Sequence, residues 1–131
     1  MTGLDTNVLV RYFTRDDVRQ FRVADALFAE LSESGGDAFV NVVVLCELAW
    51  VLDAAYGFAK PTIVDVFRRI LDTAQLVVED RDLVAEAVEQ FAKGQASFAD
   101  YLIGVRNRAA GCGVTATFDR ALRGAAGFRF L

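Results

Sequence analysis

The sequence predicts an α/β fold in which a mainly parallel sheet of about five short strands lies between helices. Three observations lead there. Short apolar runs with β-branched residues alternate with longer segments of helical period. Glycines follow the helical segments at Gly35, Gly36, Gly57, Gly94 and Gly111, where helices stop. No linker, repeat or low-complexity tract interrupts the 131 residues, so residues 1–131 read as one domain. Strands that alternate with helices imply a sheet covered on both faces, hence a three-layer α/β/α arrangement.

The elements follow in order. A strand over Thr2 to Leu4 leads into a helix over Thr6 to Phe13. The next helix, Asp17 to Ser32, repeats Phe21, Ala24, Leu27, Phe28 and Leu31 at helical spacing. A strand over Ala38 to Asn41 precedes a strongly apolar helix, Val42 to Tyr56. The only proline, Pro61, suits the first turn of a helix, placed over Thr62 to Asp72. A strand at Gln75 to Val78 is followed by helices over Asp82 to Lys93 and Phe98 to Ala110. Strands over Gly113 to Thr117 and Phe128 to Leu131 complete the chain.

Composition narrows the chemistry. Histidine is absent, which removes imidazole bases, Ser-His and Cys-His nucleophile pairs and the usual zinc sets. Cys46 and Cys112 stand alone in apolar surroundings and read as buried thiols of a reducing cytoplasm. No apolar run is long enough to cross a bilayer and no secretion signal is visible, so a cytoplasmic location is expected. A net charge of −4 argues against gripping nucleic acid by bulk charge. Yet of 14 basic residues only Lys60 and Lys93 are lysines, and arginine's planar fork suits phosphate. Hydrophobic residues make up 54%, a surplus that suggests cover by a second chain.

Four acids stand at the edge of, or inside, runs that read as core: Asp5, Glu47, Asp100 and Asp119. Asp5 and Asp119 fall just past predicted strands, the edge where parallel sheets place ligands. Each aspartate also has a local explanation. Asp5 and Asp119 suit helix N-caps, and Ser97-x-x-Asp100 has capping-box spacing. Glu47 has no such explanation. Its neighbours three, four and seven positions away include Val43, Val44, Trp50, Val51 and Ala54, so a buried charge is expected there. Four converging carboxylates would repel one another without a cation between them. Oxygen-only ligands select Mg²⁺ or Mn²⁺. Among the remaining acids, Asp16, Asp17, Asp25, Glu30 and Glu33 in one helical region and Asp80, Asp82, Glu86 and Glu89 in another read as solvated faces.

The segments Leu4-Asp5-Thr6-Asn7-Val8-Leu9, Val44-Leu45-Cys46-Glu47-Leu48, Phe98-Ala99-Asp100-Tyr101-Leu102-Ile103 and Thr117-Phe118-Asp119 together resemble the PIN domain. More narrowly, the chain resembles the PIN toxins of bacterial type II toxin–antitoxin pairs, the VapC group. The likeness runs over almost the whole chain, with the four segments in order. It implies a PIN-like domain with Asp5, Glu47, Asp100 and Asp119 as catalytic and metal-binding residues. Thr6, Asn7 and Thr117 would position water or ligands beside them. It further implies metal-assisted RNA cleavage, a homodimer and an antitoxin partner that blocks the site and binds DNA.

Substrate contacts are expected from arginines: Arg11, Arg15 and Arg106 foremost, with Arg19, Arg22 and Arg108 in the same helical regions. Of the aromatics, Tyr12, Phe13, Phe21, Phe28, Trp50, Tyr56 and Phe58 exceed what so small a core needs, which leaves some for a partner. The main alternative is a PIN-like module that binds RNA or a partner without cutting. Phosphatases of the haloacid-dehalogenase type fit poorly, because Asn7 stands where their second aspartate belongs. Response-regulator receivers need a late lysine, and none follows Lys93.

Overall fold

The computed structural model describes residues 1–131 and divides into two compact units, Met1–Arg81 and Asp82–Leu131.

The first unit runs β1 (Thr2–Gly3), α1 (Thr6–Thr14), α2 (Val18–Ser34), β2 (Ala38–Val40), α3 (Val42–Ala54), α4 (Lys60–Asp72) and β3 (Leu76–Val78). Its three strands form one parallel sheet in the order β1-β2-β3, with Thr2 opposite Ala38 and Ala38 opposite Leu76. Parallel pairing follows from the helices between successive strands, since a hairpin cannot make it. Leu9, Ala38, Val40, Leu45, Leu48 and Leu52 are fully buried. Burial of a leucine side chain contributes roughly 1.5–3 kcal/mol relative to exposure. α2 ends where Gly35 takes φ 69, a left-handed conformation that costs glycine little. α4 begins at Lys60, two residues before the start expected, because Pro61 sits inside the first turn.

Aromatic rings seal α1 against α2. Tyr12 lies 5.3 Å from Phe13, 5.7 Å from Phe21 and 4.6 Å from Phe28 between ring centres. The Arg69 guanidinium covers Phe13 at 5.3 Å. Most of the aromatic surplus is therefore consumed inside this unit, whereas Trp50 stays 68% exposed.

The second unit comprises α5 (Arg81–Lys93, starting at the boundary), α6 (Phe98–Ala109), β4 (Thr115–Thr117), a 3₁₀ turn (Arg120–Leu122) and β5 (Phe128–Phe130). β4 and β5 pair in parallel, with Thr115 opposite Phe128. The five expected strands are thus present and all pair in parallel, hydrogen-bonded as a set of three and a set of two. Val84, Val88, Phe98, Tyr101, Leu102 and Val105 form this unit's core. The Asn107 side-chain amide donates to Thr115 Oγ1 at 3.0 Å, fixing α6 to β4. No helix is long and apolar enough to cross a membrane.

Candidate functional site

In the first unit, the carboxyl edge of the sheet carries an oxygen-bearing side chain after each strand. Asp5 follows β1, Asn41 follows β2 and Glu79 follows β3. Leu4 N–H donates to the Phe39 carbonyl at 2.9 Å, which prolongs the ladder up to the acid. Asp5 is then the N-cap of α1, and its Oδ1 accepts from Thr6 N–H at 2.8 Å. Asn41 Oδ1 accepts from Val44 N–H at 2.9 Å, and Glu79 Oε1 accepts from Val42 N–H at 2.9 Å, so both hold the start of α3. Glu79, at the same edge as Asp5, is not among the acids that the sequence pattern singles out. It follows its strand just as Asp5 does, and that position was the signal available.

Glu47 corrects an expectation. It lies on the exposed side of α3, not in the core. The buried stripe of α3 is Val42, Val44, Leu45, Leu48 and Leu52. Val43 and Trp50, four before and three after Glu47, are 72% and 68% exposed. The helix is apolar on two faces, so apolar neighbours did not report burial. Asp5 and Asp119 are exposed as well, and Asp100 is half-buried. Desolvation therefore does not single out these acids.

Local backbone bonds hold three of the four, as they also hold the α2 N-cap Asp17, whose Oδ1 accepts from Gln20 N–H at 2.9 Å. In the second unit Ser97 and Asp100 form a complete capping box at the start of α6. Asp100 N–H donates to Ser97 Oγ at 3.2 Å, while Asp100 Oδ2 accepts from Ser97 N–H at 3.1 Å and from Ser97 Oγ at 2.8 Å. Asp119 caps the 3₁₀ turn, with Oδ1 accepting from Ala121 N–H at 2.9 Å. Its own N–H donates to Thr117 Oγ1 at 3.0 Å, so Thr117 fixes the backbone that carries the acid. In Asp5, Asp100 and Asp119 alike, one oxygen is held by a local donor and the other has no protein partner. Each cap thereby fixes its carboxylate at the start of a helix or turn, where orphan N–H groups need acceptors.

The arginines divide. Arg11 is occupied: Nε donates to Gln20 Oε1 at 2.5 Å, and Nη1 donates to the Tyr56 hydroxyl at 2.9 Å and pairs with Asp16 at 3.2 Å. The Tyr56 hydroxyl also donates to Asp16 Oδ2 at 2.7 Å. That bond, then one from Thr14, then Arg11, holds the Asp16 carboxyl below the ordinary carboxylate range. Arg11 thus stabilises the α1–α2 corner. Arg15 ends α1 at φ 55 and lies 4.6 Å over the Phe21 ring. Arg19 and Arg22 are exposed and line an open groove with Asn7, Val8, Val23 and Leu27. Arg106 is exposed on α6, and Arg108 pairs with Glu86.

Neither unit by itself gathers three carboxylate, thiol or imidazole ligands; Asp5 and Glu47 belong to the first, Asp100 and Asp119 to the second. The donor chemistry nonetheless fits a hard cation, with oxygens only and one unengaged oxygen on each capping aspartate. Thr6, 3% exposed, carries a buried hydroxyl without a hydrogen-bond partner.

Comparison with known proteins decides the family. The model of the PIN domain matches residues 4–127. The chain belongs to the PIN domain family. This PIN domain is also similar to the VapC ribonuclease of Aquifex aeolicus (strain VF5), 28% identical over 123 residues, covering 94% of this chain and 90% of that protein. No solved structure gives a significant match. Family membership and the parallel strands between helices agree with the α/β/α class read from the sequence.

Proposed function

We propose that this PIN domain is a divalent-metal-dependent endoribonuclease, a hydrolase of RNA phosphodiester bonds, that acts as the VapC-type toxin of a toxin–antitoxin pair. Residues 1–131 work as one PIN-like domain in this reading. The observation that carries it is the similarity to a VapC ribonuclease along 94% of the chain. The free oxygens of Asp5, Asp100 and Asp119 add support.

Asp5, Glu47 and Asp100 are the principal ligands, with Asp119 contributing directly or through water. A bound Mg²⁺ or Mn²⁺ supplies Lewis-acid charge for the phosphate and the means to activate water without a histidine base. The caps orient the aspartate oxygens before ligand arrives, and Thr117 keeps the Asp119 backbone from turning away. Thr6 and Asn7 position water beside Asp5. Exposed arginines offset the repulsion between an acidic site and an RNA backbone. The partners are the RNA, a cognate antitoxin and a second copy of the chain in a homodimer.

The test is expression of the chain alone in bacteria beside its Asp5→Asn variant, followed by cleavage assays on the purified proteins with Mg²⁺, Mn²⁺ or EDTA. Growth arrest by the parent alone, and cleavage abolished by EDTA and restored by Mn²⁺, is the expected result. Full activity of the variant, or cleavage indifferent to EDTA, contradicts the proposal.

A further inference from the structure

The β4–β5 sheet has one packed face and one open face. Thr115, Thr117, Phe128 and Phe130 are half-buried, and on that side the Phe128 ring meets Tyr101 of α6 edge-on at 6.4 Å between ring centres. Side chains alternate along a strand, so Ala116 and Phe118 turn the other way, together with Arg129, which stands opposite Ala116. All three are exposed, Phe118 to 79%. Parallel strands are ordinarily covered on both faces, so this face lacks its cover. Charge names the kind of cover it suits. Residues 110–131 carry Arg120, Arg123 and Arg129 against the single acid Asp119, in a chain whose net charge is −4. Arginines around an exposed aromatic ring suit a polyanion that carries planar groups.

We infer that Phe118 is a stacking platform for an unpaired base of single-stranded RNA and sets the position of the strand beside Asp119. This rests on the ribonuclease reading above. The backbone on either side of the ring is fixed. The Thr117 carbonyl accepts from Leu131 N–H at 2.9 Å, Asp119 N–H donates to Thr117 Oγ1 at 3.0 Å, and the Asp119 carbonyl accepts from Leu122 N–H at 3.1 Å. A ring presented from an ordered backbone loses little freedom when a base stacks on it. Every base has a π-face, so the contact holds the strand without selecting its sequence.

The experiment titrates short single-stranded RNAs, each with one 2-aminopurine at a different position, into the parent, Phe118→Ala, Phe118→Leu and Phe118→Trp. EDTA prevents cleavage during binding, and cleavage with Mn²⁺ is measured separately. The parent should quench the probe at one position. Phe118→Ala and Phe118→Leu should lose that quenching and bind roughly 5–150-fold more weakly, whereas Phe118→Trp keeps both. An abasic site at that position should weaken the parent by a similar factor and leave Phe118→Ala unchanged. So exposed a side chain predicts melting temperatures within about 2 °C of the parent, and a larger fall assigns Phe118 to packing and overturns the inference. Parent-like RNA affinity in Phe118→Ala or Phe118→Leu also overturns it, and leaves the ribonuclease reading intact where the parent cleaves with Mn²⁺. If that affinity holds while Phe118→Ala alters the sedimenting mass, the face is a contact between copies instead. A parent that neither binds nor cleaves RNA defeats the ribonuclease reading and the inference with it.

Discussion

At the start of α6, one pair of residues separates structural from chemical roles. Ser97 and Asp100 share a capping box in which each side chain satisfies the other's backbone. Removing Ser97 Oγ in Ser97→Ala leaves Asp100 N–H without its 3.2 Å acceptor and Asp100 Oδ2 without its 2.8 Å donor. Loss of such a cap costs about 1 kcal/mol, within a range of about 0.5–2. At this chain length that corresponds to a melting-temperature drop of about 4 °C. The carboxylate remains, so ribonuclease activity should stay within about threefold at a temperature where the variant is folded. Asp100→Asn reverses the pattern. Its amide oxygen still accepts from Ser97 N–H, so the melting point should move by no more than about 2 °C. In the proposed metal site it would lose a charged ligand oxygen, so activity should fall by at least about 100-fold. Differential scanning calorimetry and a fluorogenic RNA assay, run on both variants, read the two axes separately. If Ser97→Ala loses activity as deeply as Asp100→Asn while remaining folded, the acid is only a cap and the chemical assignment fails.

Further outcomes follow from other contacts. A methyl group at Gly94 would run into the buried Tyr101 hydroxyl, so Gly94→Ala should destabilise by about 1–3 kcal/mol in urea unfolding; a neutral result would show that this corner yields. The Asp16 carboxyl is held below its ordinary value of 3.8, first by Tyr56, then by Thr14 and Arg11. Its stabilising contribution is therefore present above 3.8 and lost as pH falls through the depressed folded value. Tyr56→Phe should flatten the acid limb of the stability–pH curve below pH 3.8, and an unchanged limb contradicts the network. Arg19→Ala combined with Arg22→Ala should weaken RNA binding and reduce the salt slope by about 2. An unchanged slope means the groove lined by these residues does not hold the phosphate backbone.

The order of elements was legible because each apolar period is bounded by its own stop. Gly35 ends α2 in the conformation expected of it, and Pro61 lies in the first turn of α4. The caps at Asp5, Asp100 and Asp119 were legible for the same local reason, since a capping bond reaches only one to three residues. The exposure of Glu47 was not, because α3 is apolar on both its buried and its solvent side and periodicity cannot distinguish them. Nor was the role of Arg11, whose partner Tyr56 is 45 residues away, or of Glu79, whose bond to Val42 spans 37. Contacts of that range leave no spacing in the sequence. The unpaired hydroxyl of Thr6 was equally invisible, since only coordinates reveal that no acceptor or donor lies within reach.

The most direct measurement is anomalous diffraction from crystals of the chain grown with Mn²⁺. The account predicts a manganese peak within coordination distance of the Asp5, Glu47 and Asp100 carboxylates, with Asp119 bonded directly or through one water. A peak bound elsewhere, or Glu47 projecting into solvent away from the ion, would contradict it.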